Sequence, residues 1–167
     1  TASKKMAQAY VNRKLKLKRF HTRFSGTWTT TMEDFFPLLC PAREADWIPG
    51  WTADILFSEA EGFVSPHGVF RTDETNTAWG PGLWYVIGYE KDTFIEVLRY
   101  KTDTIMQMRV DAQENGDGTV TGTWDITNSA ITKAGNQEVQ EFEEKIKKES
   151  QAVPMIIGHY LETGEMM

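Results

Sequence analysis

Residues 132–162 carry a helical period, and no other feature narrows the available folds as much. Val139, Phe142, Ile146, Val153, Ile156 or Ile157, and Tyr160 recur at three- or four-residue steps, which sets them on one face of a helix. Glu141, Glu143, Glu144, Lys145, Lys147, Lys148 and Glu149 occupy the other face. Pro154 lies inside the period and is expected to kink the helix. Gly164 is placed to end it. An amphipathic helix of this length must bury its apolar stripe against another layer.

The other layer is a sheet. From residue 51 onward strand signals follow one another. Trp51, Ala53, Ile55 and Phe57 alternate with polar residues, and 68–72 is a short extended run. Residues 83–89 and 94–100 are rich in aromatic and β-branched side chains, and 105–111 and 120–131 complete the series. The turns at 90–92 and 114–118 are tight, so the strands they join are expected to be antiparallel. A first strand is expected within 15–30, where Leu15, Leu17, Phe20 and Phe24 interleave with charge ahead of Thr27, Trp28, Thr29 and Thr30. The three-residue step from Leu17 to Phe20 breaks the alternation and implies a bulge or a helical start.

Between that strand and the rest lies a different kind of segment. Thr31 can cap a short helix, with Asp34 three residues on as a reciprocal acid. Phe35, Phe36, Leu38 and Leu39 give it a broad apolar face. Pro37 fits only a first helical turn. Pro41 ends or restarts the helix, Ala42 to Trp47 can make a second turn, and Pro49-Gly50 is turn punctuation. The predicted fold class is α+β: a curved antiparallel sheet of about seven strands around a long C-terminal helix, with two short helices after the first strand sealing one end. That shape predicts a cavity between the sheet and the helix.

A length of 167 residues suits one domain, placed at 15–167 behind a basic arm at 1–14. Residues 4–23 hold Lys4, Lys5, Arg13, Lys14, Lys16, Lys18, Arg19 and Arg23 and no acid. Such a patch serves a membrane surface or anionic partner, or is simply the solvent face of a strand. The net charge of −6 argues against a phosphate-neutralising surface, so nucleic acid is not an expected partner. Cys40 is the single cysteine, so no intrachain disulfide is available, and cytoplasmic residence is the default expectation. No apolar run approaches bilayer-spanning length, so integral membrane association is not expected.

The run Pro37-Leu38-Leu39-Cys40-Pro41, followed by Arg43-Glu44, Trp47 and Gly50-Trp51, resembles an uncharacterised prokaryotic branch of the START-like (SRPBCC) superfamily. That group includes polyketide cyclase-like and birch-pollen-allergen-like proteins of helix-grip fold. The order and spacing of Gly68-Val69-Phe70-Arg71-Thr72, the Thr-rich strand 119–127, and Lys133-Ala134-Gly135-Asn136 extend the resemblance over residues 17–164. It implies binding of a hydrophobic or amphipathic small molecule, lipids included. It does not by itself imply catalysis, because one fold hosts many functions.

Six tryptophans and seven methionines give the chain an unusual stock of pocket-forming side chains. The ligand-binding candidates on and after the short helices are Phe36, Leu39, Trp47 and Trp51. On strands they are Phe70, Trp84, Met106, Met108 and Trp124, and on the terminal helix His159 and Tyr160. Met106 and Met108 share a strand face, as do Val120, Gly122, Trp124 and Ile126. Taken singly, each of these residues reads as core packing; taken as a set, they read as the lining of the cavity that the fold makes. Arg43-Glu44 reads as a polar pair at a pocket mouth or, preferably, as contacts that fix the short helices. His21, His67 and His159 fall on separate elements without metal-ligand spacing, so no metal is expected. His159 is the weak catalytic candidate, having a suitable ordinary pKa and a place beside Tyr160. Cys40, in an apolar setting, reads as a small hydrophobe. Gly80-Pro81-Gly82 and Gly116-Asp117-Gly118 lack phosphate-binding spacing, and no cofactor is expected.

Three functions are therefore expected in order. The first is a non-catalytic binder or carrier of a hydrophobic small molecule, for which a homodimer is admissible. The second is a cyclase- or dehydratase-like enzyme using the same cavity, with His159, Tyr160 or Arg71 doing acid–base work. The third is a stress- or chaperone-related interaction module using the basic arm.

Overall fold

Strands that follow one another in sequence pair side by side, except that the first strand pairs with the last. In a computed structural model, which describes residues 2–5, 16–59 and 65–167, the strands are β1 (Arg19–Thr29), β2 (Asp54–Phe57), β3 (Val69–Thr72), β4 (Gly82–Glu90), β5 (Phe94–Tyr100), β6 (Thr104–Glu114) and β7 (Thr119–Ala130). They form a seven-stranded sheet in the order β1-β7-β6-β5-β4-β3-β2, with every neighbouring pair antiparallel. Of the basic arm expected at 1–14, only 2–5 fall among the described residues.

β1 pairs along its whole length with β7, from Arg19 opposite Ser129 to Thr29 opposite Thr119. Its alternation is regular, with Phe20, Thr22, Phe24, Gly26 and Trp28 on the more buried face. The irregular step at Leu17 lies before the strand begins, so the expected bulge is not needed. β2 corrects a second expectation. The alternation over 51–57 yields only Asp54–Phe57, an edge strand whose four residues are all exposed. Trp51 is buried ahead of it, in non-strand backbone.

The C-terminal helix runs from Gly135 to Thr163, unbroken through Pro154. The Pro154 carbonyl accepts a hydrogen bond from Trp28 Nε1 at 2.9 Å. Gly164 ends the helix in the left-handed region, with φ of 72° and its N–H donating to the Tyr160 carbonyl at 2.7 Å. Val139, Phe142, Ile146, Val153 and Ile157 are buried and pack mainly on β1 and β7. Rings fill the space between. Phe24 stacks on Trp124 at 5.5 Å, Trp28 meets Trp124 edge-on at 6.2 Å, and Trp28 stacks on Phe35 at 5.2 Å.

Candidate functional site

The segment after β1 folds as three single turns: a helix at Met32–Phe35, a 3₁₀ turn at Phe36–Leu39 and a helix at Pro41–Glu44. Thr31 Oγ1 caps the first by accepting from the Asp34 amide at 3.2 Å. Pro37 and Pro41 each sit in the opening turn of their element, where no helical N–H is lost. Turns this short do not hold themselves. Two indoles tie them down: Trp47 Nε1 donates to the Leu38 carbonyl at 2.8 Å and Trp51 Nε1 to the Pro41 carbonyl at 2.7 Å. Both tryptophans are buried. The tryptophans of the sequence motif thus brace a roof made by the motif itself.

Under that roof lies a cleft of about 800 Å³. Phe36, Leu39 and Cys40 form one wall, and Pro66, Tyr89 and Ile95 face them. Phe36 and Tyr89 have ring centroids 5.9 Å apart. Glu33, Glu59, Lys91 and Asp92 supply the charge around it. Burial, followed by the nearby acidic groups of Asp92 and Cys40, raises the Tyr89 phenol above its ordinary range, so at neutral pH it is a hydrogen-bond donor.

Deeper in is a chamber of about 20 Å³, room for about one water. Trp51, Phe70, Trp84 and Met108 line it with Leu39 and Pro41, above a floor of Ile95, Val97 and Val110. Leu39 and Ile95 border both the cleft and the chamber. Phe70 stacks on Trp84 at 5.3 Å, and Trp51 meets Trp84 edge-on at 6.0 Å. The Trp84 indole N–H is already spent on Thr72 Oγ1 at 3.0 Å.

The remaining polar side chain on this wall is Glu44. It keeps some accessible surface, but protein surrounds its carboxyl, and burial alone pushes the pKa up to about 8. No charge or hydrogen bond counters that shift, so the group is mainly a neutral acid at pH 7. Arg43 does not pair with it. Its Nε lies 2.6 Å from Asp46 Oδ2, and Asp46 first, then the Tyr160 hydroxyl, holds the guanidinium in its charged form. The expected Arg43–Glu44 unit is thus two separate groups, one bracing the roof and one facing the interior.

The eleven predicted ligand contacts are divided by this geometry. Phe36 and Leu39 border the cleft; Leu39, Trp51, Phe70, Trp84 and Met108 border the chamber. Trp47 braces the roof, and Met106 and Trp124 are core residues. His159 and Tyr160 are half-buried on the terminal helix, and neither they nor Trp47, Met106 and Trp124 border these two spaces. His21 pairs with Asp125 at 3.0 Å and His67 with the Tyr85 hydroxyl at 3.1 Å. No group of three or more metal-ligating side chains occurs among the described residues. Sequence reasoning missed Tyr89, Ile95 and the inward role of Glu44.

No protein-family model matches the sequence, and no curated protein sequence matches it. Solved structures do match the fold. Ara h 8.0201 aligns with a TM-score of 0.63 at 13% identity, covering 87% of this chain and 99% of that one. A START superfamily protein from Mycobacterium smegmatis aligns with a TM-score of 0.58 at 13% identity, covering 85% and 97%. The Zhui aromatase/cyclase from Streptomyces sp. R1128 aligns with a TM-score of 0.57 at 14% identity, covering 87% and 94%. A curved antiparallel sheet, one long C-terminal helix and short helices after the first strand make this an α+β helix-grip protein. The chain has the fold of the START-like (SRPBCC) superfamily.

Proposed function

We propose that the protein binds a hydrophobic or amphipathic small molecule in the cleft beneath the short-helix roof. The observation that carries this reading is the cleft of about 800 Å³ walled by Phe36, Leu39, Tyr89 and Ile95 and bordered inward by the Glu44 chamber. Its volume and its mixture of apolar wall and few polar groups match those of small-molecule sites. The apolar body of the ligand lies along the wall of Phe36, Leu39 and Ile95, and the Tyr89 hydroxyl in the same cleft is a donor for an oxygen on its head. No helix among the described residues is long and apolar enough to cross a membrane.

Native mass spectrometry of protein purified from its own host tests the proposal. The expected result is an apolar adduct that organic extraction removes and that Ile95→Trp, which adds bulk to the cleft wall, weakens. An adduct-free wild type that also fails to take up any member of a lipid and polyketide extract contradicts it.

Glu44 favours a second reading, a cyclase- or dehydratase-like activity at the chamber that borders the cleft. A neutral carboxylic acid in an apolar chamber is suited to protonate a carbonyl oxygen, and positioning supplies much of the rate of an intramolecular closure. In a screen of aromatic polyketide substrates this reading predicts turnover that Glu44→Gln abolishes and His159→Ala leaves intact. Turnover unchanged in Glu44→Gln removes Glu44 from that chemistry.

A further inference from the structure

Arg99 is a buried cation that makes no salt bridge among the described residues. It stands on the inner face of β5, opposite Trp84 and Met106, and is 4% exposed. Its guanidinium carbon lies 5.9, 5.5 and 5.8 Å from the rings of Trp79, Trp84 and Phe142. Nη1 donates to the Trp79 carbonyl at 3.2 Å, and the Nε–H has no partner. Gly82 makes room for the side chain, since a Cβ there would come within 2.7 Å of Arg99 Cγ. One strand beyond Met106, Asn128 is 1% exposed and its Oδ1 is likewise without a partner.

Both residues border one cleft of about 170 Å³ between the sheet and the N-terminal half of the terminal helix. It shares no lining residue with the cleft under the roof. Lys101 and Lys145 add two cations, and Glu138 and Glu141 supply two carboxylates. With Arg99 the lining holds three cations and two carboxylates, and Glu149, one helical turn beyond Lys145, also acts on that ammonium. Lys101 Nζ is paired with Glu138 at 3.2 Å, and Thr104 Oγ1 donates to the same carboxylate at 3.4 Å. Lys145 is half-buried and donates to the Ala78 carbonyl, which carries no charge. Burial pulls the Arg99 pKa down to about 10, with Glu138 acting against it, and burial likewise lowers that of Lys145. Arg99 stays charged at neutral pH. Ring faces repay only part of the desolvation of a buried cation, and buried polar atoms are rarely left unpaired.

We propose that this cleft is a second binding site, for a small monoanionic carboxylate, with an aromatic acid the best fit to its walls. Arg99 makes no salt bridge among the described residues, and one monoanionic head would answer that one cation. The planar Arg99 fork and the Lys145 ammonium suit a carboxylate head. Trp79 and Phe142 offer rings against which a flat apolar body packs.

Sodium benzoate, its neutral isostere benzamide and inorganic phosphate, titrated into the full chain and followed by NMR, test this. Benzoate is expected to give saturable shifts at the Trp79 indole, the Asn128 side-chain amide and the Arg99 Nε–H. Benzamide and phosphate are each expected to bind at least about tenfold more weakly. Lys145→Met, at the rim, is expected to weaken benzoate about tenfold, and Glu138→Gln, which removes a competing carboxylate, to tighten it about threefold. The proposal is overturned by no saturable shift at these residues up to about 50 mM benzoate, by benzamide binding as well as benzoate, by phosphate binding more tightly than benzoate, or by unchanged affinity in Lys145→Met.

Discussion

A carboxylic acid beside Trp51, Trp84, Phe70 and Met108 favours its protonated form because burial penalises the anion, and Glu44 is such an acid. This has a direct consequence for stability. The folded pKa of about 8 exceeds the ordinary value of 4.5. Between those values the folded chain holds a proton that the unfolded chain has released. Stability from this group is therefore full below about pH 4.5, falls as pH rises, and is lost above about pH 8, by on the order of a few kcal/mol. Glu44→Gln removes the dependence. In urea denaturation at pH 5 and pH 8.5 its stability relative to wild type is expected to rise with pH, and parallel pH profiles for the two proteins would count against a buried neutral acid. The sequence showed Glu44 as half of an Arg–Glu pair because adjacent opposite charges suggest an ion pair. What it could not show is that Arg43 turns to Asp46, a choice made by the geometry of the turn. His159 illustrates the converse. Its type and its neighbour Tyr160 made it conspicuous, yet it borders neither the cleft nor the chamber. His159→Ala is expected to leave ligand affinity within about twofold of wild type; a tenfold loss by fluorescence titration would restore it to the site.

Among the elements, the short-helix roof is the one whose construction was most legible. Thr31, Pro37 and Pro41 act locally, through a cap and two first-turn prolines, and local rules are readable in sequence. The strands from β4 to β7 were legible for the same reason, with tight turns and period-two alternation fixing them. β2 was misjudged because an edge strand packs against one neighbour only, so its alternating Ile55 and Phe57 are both exposed. The hydrogen bonds of Trp47 and Trp51 could not be read, since they join residues 9 and 10 apart across turns of unknown direction. They carry a prediction. Trp47→Phe or Trp51→Phe keeps most of the ring but leaves a roof carbonyl unpaired, at a cost of about 1–3 kcal/mol. Urea unfolding should show that loss, together with faster ligand release, and a variant as stable as wild type would mean the indoles are not the braces. At the other end, Gly135 opens the terminal helix against the β5–β6 turn, where a Cβ would come within 2.0 Å of the Asp103 carbonyl oxygen. Gly135→Ala should destabilise by about 2 kcal/mol, measured the same way.

For the molecule as a whole, the sheet-and-helix layering followed from the patterns, but the position of the larger cleft did not. A curled sheet around a helix leaves a space, and the alternation that faces it is the same whether the space is empty or filled. Filling depends on summed side-chain volume across elements far apart in sequence. Here Phe24, Trp28, Trp124 and Phe142 occupy the middle, and the large apolar cleft lies at the end of the sheet, beneath the roof. The central claim is that a hydrophobic ligand is held there. It is tested most directly by recording backbone and side-chain NMR shifts on titrating the protein with 1-dodecanol. The account predicts saturable shifts concentrated at Phe36, Leu39, Tyr89 and Ile95, with Trp124, Val153 and His159 unmoved. Shifts concentrated at Trp124, Val153 and His159, with the roof silent, would contradict it.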